Sequence, residues 1–180
     1  MPNEGTCTFR EIQELSLLFE ISQELNDTLD LGAVIKPVLG MVAEKMEIIR
    51  GTISILNRTT DEIVIEDSYG LLPEEQAKGK YQLGEGITGR VVESGKSVII
   101  PRIADEPLFL DRTGSRTTAD KNDISFICVP IKIGAEVIGT LSVDRPFDKK
   151  NSLDDDARLL TIIASCLSGS QTQAACPGRD

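Results

Sequence analysis

The chain of 180 residues contains no histidine at all, and its four cysteines form no CxxC pair. Those two absences remove most zinc sites, the Ser-His and Cys-His nucleophile systems and His-ligated haem. No apolar run approaches the roughly 20 residues that span a bilayer. Basic charge is also scarce: Lys and Arg number 19 against 29 Asp and Glu, for a net charge of −10. That balance disfavours nucleic-acid backbones and anionic membranes while leaving room for a local basic pocket. The opening MPNEGTCTFREIQE is polar and acidic, with no signal peptide, so a cytoplasmic location is expected. Cys128 and Cys166 read as small buried hydrophobes. No metal and no cofactor is expected.

What is present is an ordinary apolar fraction, 40% of residues, with 27% charged, in a length that suits one domain with a sizeable core. The most informative stretch is Ile124 to Phe147. It reads as two strands joined at Gly134-Ala135, a type II′ hairpin in which Ile133 faces Glu136. On that register Phe126, Cys128, Leu141 and Val143 share one face. Ser125, Ile127, Val129, Ile131, Ile138, Thr140, Ser142 and Asp144 share the other. So few charges place the ribbon mid-sheet. The hydroxyls either line a small-molecule pocket or satisfy each other across the ribbon.

Ahead of the ribbon, Phe9 to Leu25 is helical, with Ile12, Leu15, Leu18, Phe19 and Leu25 in a stripe that Leu17 and Ile21 widen. Such a stripe faces either one broad core or a core and a second subunit. Asp30 caps a second helix, in which Pro37 predicts a kink. Gly51 to Leu56 and Glu62 to Tyr69 are strands, and a turn of helix follows Pro73. Gly84 to Gly89 spells GxGxxG, but the helix after it ends by Gly95, too short for a dinucleotide-binding crossover. Gly95-Lys96-Ser97 fails as a P-loop because Arg90 stands where glycine is required. The glycines instead serve a tight turn into a short helix, Thr88 to Glu93, whose free N–H groups suit an anion.

Ser97 to Ile100 is a strand. The loop from Pro101 to Asn122, anchored by Phe109, carries Arg102, Arg112 and Arg116. These are either carboxylate- or phosphate-capturing arginines or solvated surface groups. Ser152 to Asp155 is a capping box for a last helix that stops near Gly169. Domain limits follow: residues 1–8 a disordered N-terminus, 9–168 the domain, 169–180 a flexible tail.

The element order, with GEGITGRVVESGKSVIIPRI, ISFICVPI and EVIGTLSV, resembles a GAF domain. The ADEPLFLDRT segment (Ala104 to Thr113) followed by ISFICVPI is similar to the N-terminal GAF domain of NifA-type regulators of nitrogen fixation, activators that work with the sigma-N form of RNA polymerase. The resemblance implies an α/β (α+β) fold: a central antiparallel sheet, terminal helices on one face and a loop-covered ligand pocket on the other. It also implies signal transduction rather than catalysis, with 2-oxoglutarate as a plausible ligand. The chain ends after the last GAF helix, so the ATPase, polymerase and DNA-reading functions of such activators are not expected of it. Asp144-Arg145 and Ser152 depart from the cyclic-nucleotide signature, and the lack of histidine departs from bilin binders.

The expected binding residues are Thr88, Arg102, Arg112, Arg116, Ser125, Cys128, Thr140 and Ser142, around a small anionic metabolite. Arg112 and Arg116 would capture the carboxylate, Thr88 would anchor it through its hydroxyl and N–H, and Ser142 would form a wall. A second reading is a docking module or homodimer through the first and last helices, with no ligand. A third is a free-methionine-sulfoxide reductase using Cys128, which lacks a nearby resolving cysteine.

Overall fold

A computed structural model describes residues 8–27, 30–149 and 152–174. Helices α1 (Phe9–Asp27) and α2 (Leu31–Met46) come first, then strands β1 (Arg50–Asn57) and β2 (Glu62–Tyr69). Next are α3 (Pro73–Lys78), β3 (Lys80–Gln82), α4 (Gly86–Ser94) and β4 (Val98–Ile100). A single 3-10 turn (Ile103–Asp105) and α5 (Thr118–Asn122) lie in the long loop, ahead of β5 (Ile124–Ile133), β6 (Glu136–Pro146) and α6 (Leu153–Ala174). The strands form one sheet in the order β3-β2-β1-β6-β5-β4, and every neighbouring pair is antiparallel. The β5–β6 ribbon therefore lies inside the sheet, as its low charge implied.

The hairpin turn is the expected one: Gly134 has φ +63°, and Ile133 pairs with Glu136. The register beyond it is not. Lys132 pairs with Val137, but Ile131 pairs with Gly139, so Ile138 is an extra residue in a bulge. A bulge shifts the register by one and exchanges the faces of everything beyond it. Cys128 thus sits opposite Ser142 and Phe126 opposite Asp144, while Leu141 and Val143 join Val129 and Ile127. The expected grouping of Leu141 and Val143 with Phe126 and Cys128 is corrected accordingly.

The sheet separates two cores. On one face α1, α2 and α6 bury Leu17, Ile21, Val38, Leu160 and Ile163 against Ile53, Ile127, Val129, Leu141 and Val143. On the other, Ile87 and Val91 of α4 pack with Ile100, Ile103, Phe126 and Cys128. In α1 the residues facing inward are Leu17 and Ile21, whereas Phe9, Leu15 and Phe19 are 77%, 62% and 65% exposed. Asp30 caps α2 by accepting from the Gly32 N–H at 3.0 Å, and the helix runs on through Pro37. At the start of α6 the Asp155 N–H donates to Ser152 Oγ at 3.2 Å. The helix continues to Ala174, beyond the expected stop at Gly169. The expected disordered residues 1–7 and the last six residues of the expected tail lie outside the described residues.

Residues of the GxGxxG segment form a turn between the short antiparallel strand β3 and α4. A Cβ on Gly89 would lie 2.4 Å from the Gln82 carbonyl oxygen, so only glycine permits this approach. The helix after it spans Gly86–Ser94, slightly longer than the Thr88 to Glu93 expected. No helix among the described residues is long and apolar enough to cross a membrane.

Candidate functional site

The two central strands carry three consecutive polar cross-strand pairs on the α4 face of the sheet: Arg50 with Asp144, Thr52 with Ser142, and Ser54 with Thr140. Successive residues of a strand alternate faces, so these six side chains make one stripe, while Ile53, Leu141 and Val143 between them enter the helical core. Thr52 and Ser142 join their hydroxyls at 2.7 Å. Hydroxyls therefore do satisfy one another here, yet they also line a hollow.

The loop from Pro101 to Asp123 closes over that stripe as a flap. Phe109 fixes it by packing edge-on against Phe126 with ring centroids 5.0 Å apart. Arg116 lies over the Phe109 ring, 4.9 Å from its centroid, and reaches down to the sheet. Its Nε donates to Asp144 Oδ2 at 2.7 Å and its Nη2 to Asp144 Oδ1 at 2.8 Å, a bidentate pair. Its Nη1 donates to Asp111 Oδ1 at 2.9 Å within the flap itself. Arg50 completes the cluster, donating to Asp144 Oδ2 at 3.2 Å and to the Ser115 carbonyl at 2.9 Å. Asp144, 1% exposed, is thus neutralised by two arginines, the arrangement a buried carboxylate needs. Beneath the flap remains a hollow of about 30 Å³. That is room for roughly two waters. Its walls include Thr88 of α4, Tyr81, Ile65, Thr113 and the stripe residues Thr52, Ser54 and Ser142.

Electrostatics follow from this packing. Burial works to lower the Arg116 pKa, but Asp144, with Asp111, more than offsets it and raises it above the ordinary value. Burial pushes the Tyr81 hydroxyl up to about 12, although nearby Arg116 pulls the other way. Burial likewise pushes the Cys128 thiol up to about 12, with the Thr140 hydroxyl opposing it weakly. Both groups move away from neutrality, so neither is poised for proton transfer or nucleophilic attack near pH 7.

The expected site residues separate into those the hollow gathers and those it does not. Thr88, Arg116 and Ser142 line it. Thr140 belongs to the stripe but is fully covered, and Cys128 packs under α4 with Ile87 and Val91. Ser125 points to the opposite face from Phe126, and its hydroxyl donates to the Pro101 carbonyl at 2.6 Å, pinning the start of the flap. Arg102 stacks on Phe147, 4.4 Å from the ring centroid. Arg112 is 41% exposed and pairs with Glu85 at the outer rim. Arg50, Thr52, Tyr81, Asp111 and Asp144 were not anticipated. A signal existed for two of them: Arg50 and Asp144 are charges flanking the apolar and hydroxylic runs GTISIL and VIGTLSV.

The GAF domain family model matches residues 16–169. The chain belongs to the GAF domain family. Its sequence is 45% identical over 168 residues to the nitrogen fixation protein VnfA of Azotobacter vinelandii, covering 92% of this chain and 32% of that protein. It is 36% identical over 155 residues to the Nif-specific regulatory protein of Herbaspirillum seropedicae, covering 86% of this chain and 28% of that one. The GAF domain therefore spans about a third of the length of the curated relatives it matches. Among solved structures, the GAF domain of nlh2 from A. Aeolicus, in an inactive state, superposes with a TM-score of 0.80 at 25% identity, covering 92% of this chain and 99% of that one. A free methionine-R-sulfoxide reductase from Neisseria meningitidis superposes with a TM-score of 0.75 at 20% identity, covering 90% and 92% of the two chains. That likeness is one of fold.

Proposed function

We propose that this GAF domain is the sensory part of a transcriptional regulator of the NifA type and that its ligand binds beneath the flap, which lifts to enlarge a hollow that when closed holds about two waters. The single observation that carries the reading is the polar stripe at mid-sheet, roofed by a loop whose arginine reaches into it. A core element built only for stability would carry apolar residues there. The ligand is a small metabolite with a carboxylate, 2-oxoglutarate being the one the NifA likeness favours. Such a carboxylate competes with Asp111 for Arg116, because Asp111 is the more exposed of its two partners. Thr88 and the Thr52–Ser142 hydroxyl pair supply further hydrogen bonds from the wall. Arg112 stands at the rim, where it steers an anion inward.

A thermal-stability scan against a metabolite panel tests this. A ligand at a hundredfold over its dissociation constant stabilises by about 2.7 kcal/mol. That gain should vanish in Arg116→Met. No shift with any carboxylate or phosphate metabolite would overturn the reading.

A second reading, a docking or dimerisation module, is favoured by the exposed Phe9, Ile12, Leu15 and Phe19 of α1 beside Ile162 of α6. Sedimentation decides it: a strict monomer at high concentration ends the homodimer version. The sulfoxide-reductase reading has less support, since the Cys128 thiol is fully buried and its pKa is pushed up to about 12.

A further inference from the structure

Asp144 and Arg145 are neighbours on β6, and a strand sends neighbours to opposite faces. Asp144 faces the flap and holds Arg116 and Arg50. Arg145 faces the helices, where it pairs with Asp156 of α6, and both side chains are buried. Asp156 in turn accepts from Arg10 Nη2 of α1 at 2.9 Å. The flap on one side of the sheet and α6 and α1 on the other are thus held by two ion clusters that meet at adjacent residues of β6, Asp144 and Arg145.

The outer ends of the two clusters share one design. Arg116 has a second partner inside its own segment, Asp111 at 2.9 Å. Arg10 has a second partner inside its own helix, Glu14 at 2.9 Å. Each terminal arginine can therefore leave its partner in the cluster, Asp144 on β6 or Asp156 on α6, without becoming unpaired. A coupling route needs such two-state elements rather than mere proximity. In the middle there is no such freedom. Asp144 and Arg145 are fixed by the ladders to β1 and β5. Among the described residues the Arg145 Nε has no hydrogen-bond partner, so this guanidinium depends on Asp156 more than a solvated one would. Release of Arg116 leaves Asp144 to Arg50 alone and shifts the pull on β6, and Arg145 shares that backbone.

We propose that Asp144 and Arg145 form a charge relay through the sheet that couples closure of the flap to the seating of α1 on α6. The relay is a property of the chain itself and stands whether or not the hollow takes a metabolite. Thermodynamic coupling is reciprocal, so if loosening the flap loosens α1, loosening α1 must loosen the flap.

Amide hydrogen exchange on the 180-residue chain tests it, read separately for the flap (residues 109–117), α1 and, as control, α2. Arg10→Gln, at a side chain 44% exposed, loosens the helix end with little risk to folding. Arg116→Met loosens the flap end. The relay predicts that Arg10→Gln speeds flap exchange at least threefold over the α2 control, and that Arg116→Met speeds α1 exchange by a similar factor. A change below threefold at the far end, or one matched by α2, overturns the proposal. Asp156→Asn should act as Arg10→Gln does but more strongly; if it fails to fold, the Arg10→Gln result alone decides.

Discussion

The ion cluster beneath the flap makes a sharp prediction. In Arg116→Met the side chain keeps its apolar reach over Phe109 but loses two hydrogen bonds to Asp144 and one to Asp111. Removing one partner of a buried pair ordinarily costs about 3–5 kcal/mol, because the other charge stays buried. Here Asp144 retains Arg50 at 3.2 Å, and Asp111 retains Lys121 at 3.6 Å, which places the loss near the lower limit. We expect about 3 kcal/mol, or a fall in Tm of about 6–12 °C for a domain of this size. Combining it with Asp144→Leu should recover at least about 2 kcal/mol of the summed single costs, since the stranded carboxylate is then gone. The chain has no tryptophan, so urea unfolding should be followed by far-UV circular dichroism. A loss below about 1 kcal/mol for Arg116→Met, or additivity of the two substitutions within about 0.5 kcal/mol, would refute the claim that this pair holds the flap.

Two further outcomes follow from the same coordinates. A Cβ on Gly139 would lie 2.1 Å from the Ser54 carbonyl oxygen on β1, so Gly139→Ala must push apart the two central strands; a loss of about 3 kcal/mol or more is expected in urea unfolding, and a near-neutral result would contradict the register. Stability should also fall under alkaline conditions. The folded state keeps the Cys128 and Tyr81 protons up to about 12, against ordinary values of 9.0 and 10.0. Their contribution is therefore fully present below pH 9 and is lost as pH rises towards 12, on the order of 2–4 kcal/mol for each group. Cys128→Ala should flatten the first part of that decline, and a stability curve level to pH 11 would refute the burial argument.

Much of the fold was legible because local rules decided it. Gly134-Ala135 between apolar strands can hardly be other than a hairpin, and the low charge of both strands placed it mid-sheet. The bulge at Ile138 was not legible. Both faces of the ribbon are apolar near the turn, so a slip of one residue there moves no polar side chain into the core and the hydrophobic pattern cannot distinguish the two registers. That one residue reversed β6, hid the Arg50–Asp144 pair and wrongly set Ser125 beside Ser142. In α1 the pattern left open which side the core takes, for a different reason. Phe9 and Phe19 are the larger residues, yet Leu17 and Ile21 are the ones the sheet-side core receives. The flap arginines were recognisable as candidates, but whether an arginine is free or engaged depends on a partner distant in sequence. Arg116 meets Asp144, twenty-eight positions on, and only the closed flap brings them together.

The position of that pair bears on what the domain is for. Apolar residues in place of Arg50, Asp144 and Arg116 would be no less stabilising, because desolvating three charges costs about as much as their attraction returns. What the charges do provide is a flap whose closure rests on partners that water, or a carboxylate, can replace. Phe109 on Phe126 gives the flap a modest apolar hold, and the ion cluster sets its register on the sheet. On the sensory reading proposed above, the free-energy gap between closed and open flap has to be small. A ligand can shift a two-state equilibrium only by its differential affinity for the two states, so a small gap is the condition under which a weakly bound metabolite controls it. An apolar plug in place of the three charges would hold the flap shut more firmly and leave a weakly bound ligand less able to lift it.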